Sequence, residues 1–490
     1  MKLNPFNSPA YLIPAFALMS LPLAHAQISF DDGAAGDSNW TSANNWDTNS
    51  VPTTGDTITI GSGFTVDYDV TAASGNLPSS STLIVDGTLS ITSAGVLRAN
   101  GGNITVSSTG ELTGSNSGKF YDMNNATVTF QDGAQFTQGV WENKGTNTFN
   151  FELGTTGFNT LTPSKLNVSG GAGNISNATY NADLGGASYI GGSQILTLVD
   201  YGTDTHGISN ANFQNATLTI TDTGTNAARL YWDDAQEAIK LGINQTVTWT
   251  GGGANNLLSN GDNWNAPDEK GPIANDTLLI NNGDTVAHGN NLSFNTTINL
   301  VGSELTTDGS VIRLNNSTIN VDAASTLSGA FWDLDGASIV FEDGAQATMA
   351  NWEQKDINSF TYELGAYDFT TLTPGAFRIG NGGMTGDIAN ATYIADFSNF
   401  ANYSLLNDGF NTITLMDFTS DGAGMDNAQF QSASFDYLNM GANIENAAFA
   451  WDNSLEAIIL TFDITAVPEP SSTALLGLGG LALMLRRRRS

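Results

Sequence analysis

The stretch ATVTFQDGAQFTQGVWENKGTNTFNFELG, residues 126–154, returns as ASIVFEDGAQATMANWEQKDINSFTYELG, residues 337–365. The offset is a constant 211 residues: FQDGAQ at 130–135 meets FEDGAQ at 341–346, WEN at 141–143 meets WEQ at 352–354, and LTP at 161–163 recurs at 372–374. Inside each stretch, short strand-like triplets are followed by turn signals, Asp132-Gly133 in one and Asp343-Gly344 in the other.

Farther along, NATY at 177–180 matches 390–393, and YWDDAQEAIKL at 231–241 matches AWDNSLEAIIL at 450–460. Small drifts in the offset mark loop insertions, so two homologous units occupy 27–245 and 246–466. A shorter beat runs within each copy. Its last apolar residues fall at Val85, Val106, Phe130 and Phe151, and at Val301, Val321, Phe341 and Tyr362, about 20 residues apart. A strand returning at this interval suits a parallel β-helix-like solenoid, in which each coil adds the same apolar position to a continuous core. The fold class is therefore all-β, two tandem β-solenoid units of about four coils each. A β-sandwich, with strands spaced at about 8–12 residues, is the competing reading, and 154–243 and 365–464 stay open between further coils and sandwich-like parts. A solenoid needs its open end covered. Trp40 and Trp46 before Pro52 and Asp56-Thr57, and Trp249 and Trp264 before Pro272 and Asp276-Thr277, fit an aromatic lid over each first coil.

Composition agrees. Only 13% of residues are charged, so the polar surface must come from Asn, Thr, Ser and Gly, which favour strands and turns over helix. Cysteine is absent, which excludes disulfides, thiolate metal sites and a cysteine nucleophile. Without residues 1–26 and 467–490 the body keeps 47 acidic residues (48 less Glu469) against ten basic ones, roughly −37, and such a surface has nothing to neutralise phosphates. Nucleic acid is excluded as a partner.

The two ends carry addresses. Residues 1–26 combine Lys2, an apolar run and a small-x-small site, Ala24-His25-Ala26, which reads as a signal helix for the Sec export machinery cleaved before Gln27. At the other end, Thr473 to Leu485 followed by Arg486, Arg487, Arg488 and Arg489 has the polarity of a segment halted in the inner membrane. At 13 residues this short apolar helix falls below the roughly 20 of a comfortable span, so the anchoring is transient. Together with Val467, Pro468, Glu469 and Pro470, residues 467–490 resemble the PEP-CTERM sorting signal. That resemblance implies recognition and processing by exosortase, with Pro468, Glu469 and Pro470 as recognition residues, and delivery to the cell surface or extracellular matrix. The coils and their entry pattern are similar to the autotransporter-like solenoid repeats of exported PEP-CTERM proteins.

Chemistry is sparser. Asp132 with Glu142, and Asp343 with Glu353, are the candidate acid/base pairs of a glycoside hydrolase or polysaccharide lyase, although both aspartates are turn residues in their own right. His206 and His288 have no histidine opposite them in the other copy and read as surface loop residues. The glycine run Gly251–Gly253 falls in a lid loop, outside any phosphate-cradling setting. Asp333-Leu334-Asp335-Gly336, with Asp122-Met123-Asn124-Asn125 opposite, resembles part of a calcium loop without its full acidic set, which makes Asp333 and Asp335 the candidate ligands. Trp141 and Trp352 are candidate contacts to extracellular polysaccharide, with burial in the core the commoner fate of such residues. The expected function is a non-catalytic exported structural or adhesion protein without cofactor or catalytic residues. The alternative is a polysaccharide-binding or polysaccharide-degrading β-helix protein.

Overall fold

A four-residue strand with every second side chain apolar can bury only two groups, so none is stable alone; stacked in register, the strands join those groups into columns. The computed structural model describes residues 26–465, less 35, 71–76, 78–79, 93–94, 115–119, 138–139, 155–157, 164, 168–172, 186–192, 203–207, 289–291, 293–294, 310, 356, 366–370, 375–376, 380–390, 401–408 and 419–424. Thr82, Asn103, Thr127 and Thr148 lie level on successive parallel strands, as do Leu83, Ile104, Val128 and Phe149 beside them. The second set is buried.

A complete coil has three sides. One coil runs Thr82–Val85, Thr88–Ile91 and Leu97–Asn100, and two coils later the sides are Thr127–Phe130, Gln135–Phe136 and Val140–Lys144. The second unit repeats the plan in Ser338–Glu342, Gln346–Ala347 and Trp352–Lys355. In each unit the first side is a parallel sheet of eight strands, and the second and third sides have four each. Corners use residues free to take positive φ: Gly133 at 95° and Gly344 at 103° turn the chain from the first side to the second. One beat of the sequence reading is displaced. Leu300, not Val301, stands level with Ile280 and Val321, because alternation along Thr297–Leu300 turns Ile298 and Leu300 inward. Val301 lies beyond the strand and is exposed.

The later parts are neither plain coils nor a sandwich. The first side gains two more parallel strands, Thr179–Asp183 and Thr217–Thr221, then Thr392–Asp396 and Ser434–Leu438 in the other unit. Beside them a three-stranded antiparallel sheet closes each unit: Gln194–Asp200, Ala228–Asp233 and Ala238–Ile243, and its counterpart Gly409–Asp417, Ile444–Asp452 and Ala457–Ile464.

The lids are as expected, with one change of partner. Trp46 and Trp264 each follow a single 3-10 turn and donate their indole N–H to the carbonyl six residues earlier, Trp40 O at 2.9 Å and Leu258 O at 2.8 Å. The residues that bridge to them across the antiparallel step are Phe30 and Trp249. Trp249 is thus the counterpart of Phe30, and Leu258 that of Trp40. Asn45 and Asn263, both fully buried, tie each lid with side-chain bonds to backbone groups.

The two units have separate hydrophobic cores, one over residues 28–243 and the other over 247–464. They are joined by a buried clamp: Arg229 of the first unit's closing sheet reaches Asp268 at 2.6 Å, Asp276 at 2.5 Å and the carbonyl of Gly271.

Candidate functional site

Among the described residues, ion pairs gather on the third side, in the same arrangement twice. Arg98 Nε and Lys144 Nζ both contact Asp122 Oδ2, at 3.1 and 2.9 Å, and Lys144 also meets Glu142 at 3.0 Å. In the second unit Arg313 and Lys355 contact Asp333 at 3.1 and 2.9 Å, with Glu353 3.4 Å from Lys355. Strand register produces this ladder, since Arg98, Asp122 and Glu142 are level on three consecutive strands, as are Arg313, Asp333 and Glu353. Burial works against the charge on Lys144 and Lys355, but their hydrogen bonds to the carboxylates outweigh it and hold both ammonium groups above their ordinary range.

This geometry places the candidate residues of the sequence reading. Asp132 sits at the corner between first and second sides, with its carboxylate over Gly154: a β-carbon there would lie 1.7 Å from Oδ2. Asp343 covers Gly365 in the same way. Glu142 and Glu353 belong to third-side strands, so the fold sets the members of each proposed acid/base pair on different sides of the coil. Asp333, offered as a calcium ligand, is instead the shared anion of Arg313 and Lys355; two adjacent cations leave its bound oxygen no role for a metal. Asp335 ends the same strand. Among the described residues, no group of three His, Cys, Asp or Glu side chains could hold a metal ion.

Trp141 and Trp352 are core residues. Each is 1% exposed, Trp141 lying among Phe130, Phe136, Phe149 and Tyr201, and Trp352 between Phe341 and Phe360. Neither has a face to offer a sugar: burial in the core, the commoner fate of such residues, is what the fold shows, and the candidate polysaccharide contact falls away. His288 is not on a surface loop but buried at the end of the strand Thr285–His288, and His206 lies outside the described residues. Gln27 opens the first strand of the first side, beside Ala26, whose carbonyl accepts from Thr57 N at 3.0 Å. Ala24 and the tail residues Pro468, Glu469, Pro470 and Arg486 to Arg489 lie outside the described residues, as do both end helices expected from the sequence. No helix among the described residues is long and apolar enough to cross a membrane.

A β-solenoid body with a sorting tail defines the class: an exported protein directed to the cell surface. Residues 466–489 match the PEP-CTERM protein-sorting motif, in agreement with the sequence resemblance, and residues 45–158 match the G8 domain. The second match runs from the buried lid residue Asn45 through the coils of the first unit whose three sides are all described, 82–100, 103–124 and 127–144, and sequence reasoning did not name it. No curated protein and no solved structure matches the chain.

Proposed function

We propose that the chain is a non-catalytic structural or adhesive module of the cell surface or extracellular matrix: a stiff, acidic, two-unit solenoid. In this reading the Sec machinery exports it, exosortase processes its tail, and the inner membrane holds it only in passing. The observation that carries the proposal is the repeated third-side ladder. Its carboxylates, which include one member of each candidate catalytic pair, are taken up by Arg98, Lys144, Arg313 and Lys355 in identical fashion in both units. Glu142 and Glu353 are each paired with a lysine of their own strand, on a different side of the coil from Asp132 and Asp343, whereas two-carboxylate hydrolysis needs both groups flanking one cleft.

Two measurements test the reading. Incubating the exported protein with extracellular polysaccharides should release no reducing ends, and deleting residues 467–490 should change where the protein accumulates without altering its melting. Steady release of reducing ends that Glu142→Gln with Glu353→Gln abolishes would overturn the non-catalytic assignment. Unchanged location after the deletion would remove the role of the tail.

A further inference from the structure

The two lids are built alike, and besides the exchange of Trp40 for Leu258 they differ where the lid meets the second side. In the first unit Phe30 packs edge-on against Phe64 of the second side, ring centres 5.8 Å apart. At the equivalent positions the second unit has Trp249 and Asp284, joined by a hydrogen bond from Nε1 to Oδ2 of 2.9 Å. A cleft of about 230 Å³ opens there, lined by Trp249, Gly251, Gly253, Asn255, Asn256 and Asp284 among others. Glycine keeps it open. Gly251 has a φ of +64°, and a β-carbon on it would stand 2.8 Å from Asp284 Oδ2 and 3.4 Å from Trp249 Nε1. The Gly251–Gly253 run, which fits no phosphate loop, thus has a physical reason.

The polar groups around the cleft are held but not used up. Asp284 Oδ2 takes Trp249 Nε1 and Asn282 Nδ2, Asn255 Oδ1 takes Leu257 N and Asn260 Nδ2, and Asn256 Nδ2 gives to Thr285 O. Asp284 Oδ1, Asn255 Nδ2 and Asn256 Oδ1 have no partner among the described residues, which leaves two acceptors and a donor at fixed positions beside an indole edge. Hydroxyl pairs on a sugar ring both give and accept, and match such a set. The volume admits about one ring, not a polymer segment. A net charge of −33 repels anionic saccharides. A single carboxylate between amides is too few hard oxygens for a divalent cation.

We propose that this cleft binds one neutral sugar ring, at the end or branch of a polysaccharide, with Asp284 and Asn255 reading adjacent hydroxyls. The site adds recognition to the structural module and needs no turnover, so its failure would leave the non-catalytic reading untouched, whereas reducing-end release would overturn that reading alone.

The test is titration of the full chain with glucose, galactose, mannose and N-acetylglucosamine by calorimetry, with the Trp249 indole N–H followed by nuclear magnetic resonance. Saturable millimolar binding by at least one sugar, with movement of that resonance, is expected. Trp249→Phe combined with Asp284→Phe rebuilds the first unit's packing and should weaken binding by about tenfold or more. Asp284→Asn, which keeps the volume and guards against misfolding of the double variant, should weaken it about threefold. Absence of binding for all four sugars, a stationary Trp249 resonance, or full binding by either variant would overturn the proposal.

Discussion

At the scale of the residue, Trp141 and Trp352 show how position in a stacked strand decides the role of a side chain. Each precedes a glutamate on a third-side strand, and alternation turns the tryptophan inward while Glu142 and Glu353 face Lys144 and Lys355. Truncating a buried aromatic removes its transfer energy and leaves a cavity. Trp352→Ala should therefore lower the stability of the second unit by about 3–5 kcal/mol in denaturant melts, and leave sugar binding at Trp249 unchanged wherever the unit stays folded. Much of this was legible: a tryptophan recurring beside coil positions is more often core than contact. The identity of the lid partners was not. Phe30 and Trp249 share no residue type, and only the antiparallel bridges to Trp46 and Trp264 reveal them as counterparts.

At the scale of the element, register stacks like on like, which is favourable for apolar side chains and unfavourable for charges. Glu342, Glu363 and Asp396 are level on three consecutive first-side strands. Burial, then the neighbouring Glu342 and Asp396 carboxylates, push the Glu363 carboxyl above its ordinary range. Ionising it costs the folded state more than the unfolded one. Its contribution to stability is thus complete below the ordinary glutamate range and is lost as pH rises through the raised value. Glu363→Gln should add about 0.5 kcal/mol at neutral pH and nothing in acid, as thermal melts across pH would record; a loss at neutral pH would contradict the stacking. The first side was visible in the sequence because its strands repeat an apolar pair at each rung. The second side was not, since strands as short as Gln135–Phe136 and Gln346–Ala347 carry too few residues for a period, and the third side, in strands such as Val140–Lys144, puts charged residues where the first side repeats threonine and asparagine. The closing antiparallel sheets were ambiguous for a related reason, as short apolar runs suit a coil and a meander equally well.

At the scale of the whole molecule, duplication gave two cores, and one buried arginine ties them together. Arg229 stands where the second unit has Ala448, the residue opposite the Thr461 step of its closing sheet. No third unit follows it among the described residues to supply partners. Burial holds the Asp276 carboxyl above its ordinary range even against Arg229, so removal of the guanidinium leaves a costly buried anion. Arg229→Ala should cost about 3–5 kcal/mol and separate the melting of the two units, and the loss should shrink as acid protonates Asp276. A single unchanged transition would show that the clamp does not couple them. The duplication and the sorting tail were readable in full from sequence. The clamp was not, because Arg229 and Asp276 are 47 residues apart and no local pattern relates them.

Everything rests on rungs stacked in one direction at a fixed rise. The chain has no cysteine, so introduced pairs can carry spin labels without interference. Thr57 and Thr148 are level on the first side four rungs apart, with Thr82, Asn103 and Thr127 between them. Electron–electron resonance between labels at Thr57→Cys and each of these positions in turn should give distances that climb steadily by roughly 4.8 Å per rung, to about 19 Å at Thr148. Distances that rise and fall along the series, as strands of a sandwich would give, would contradict the solenoid.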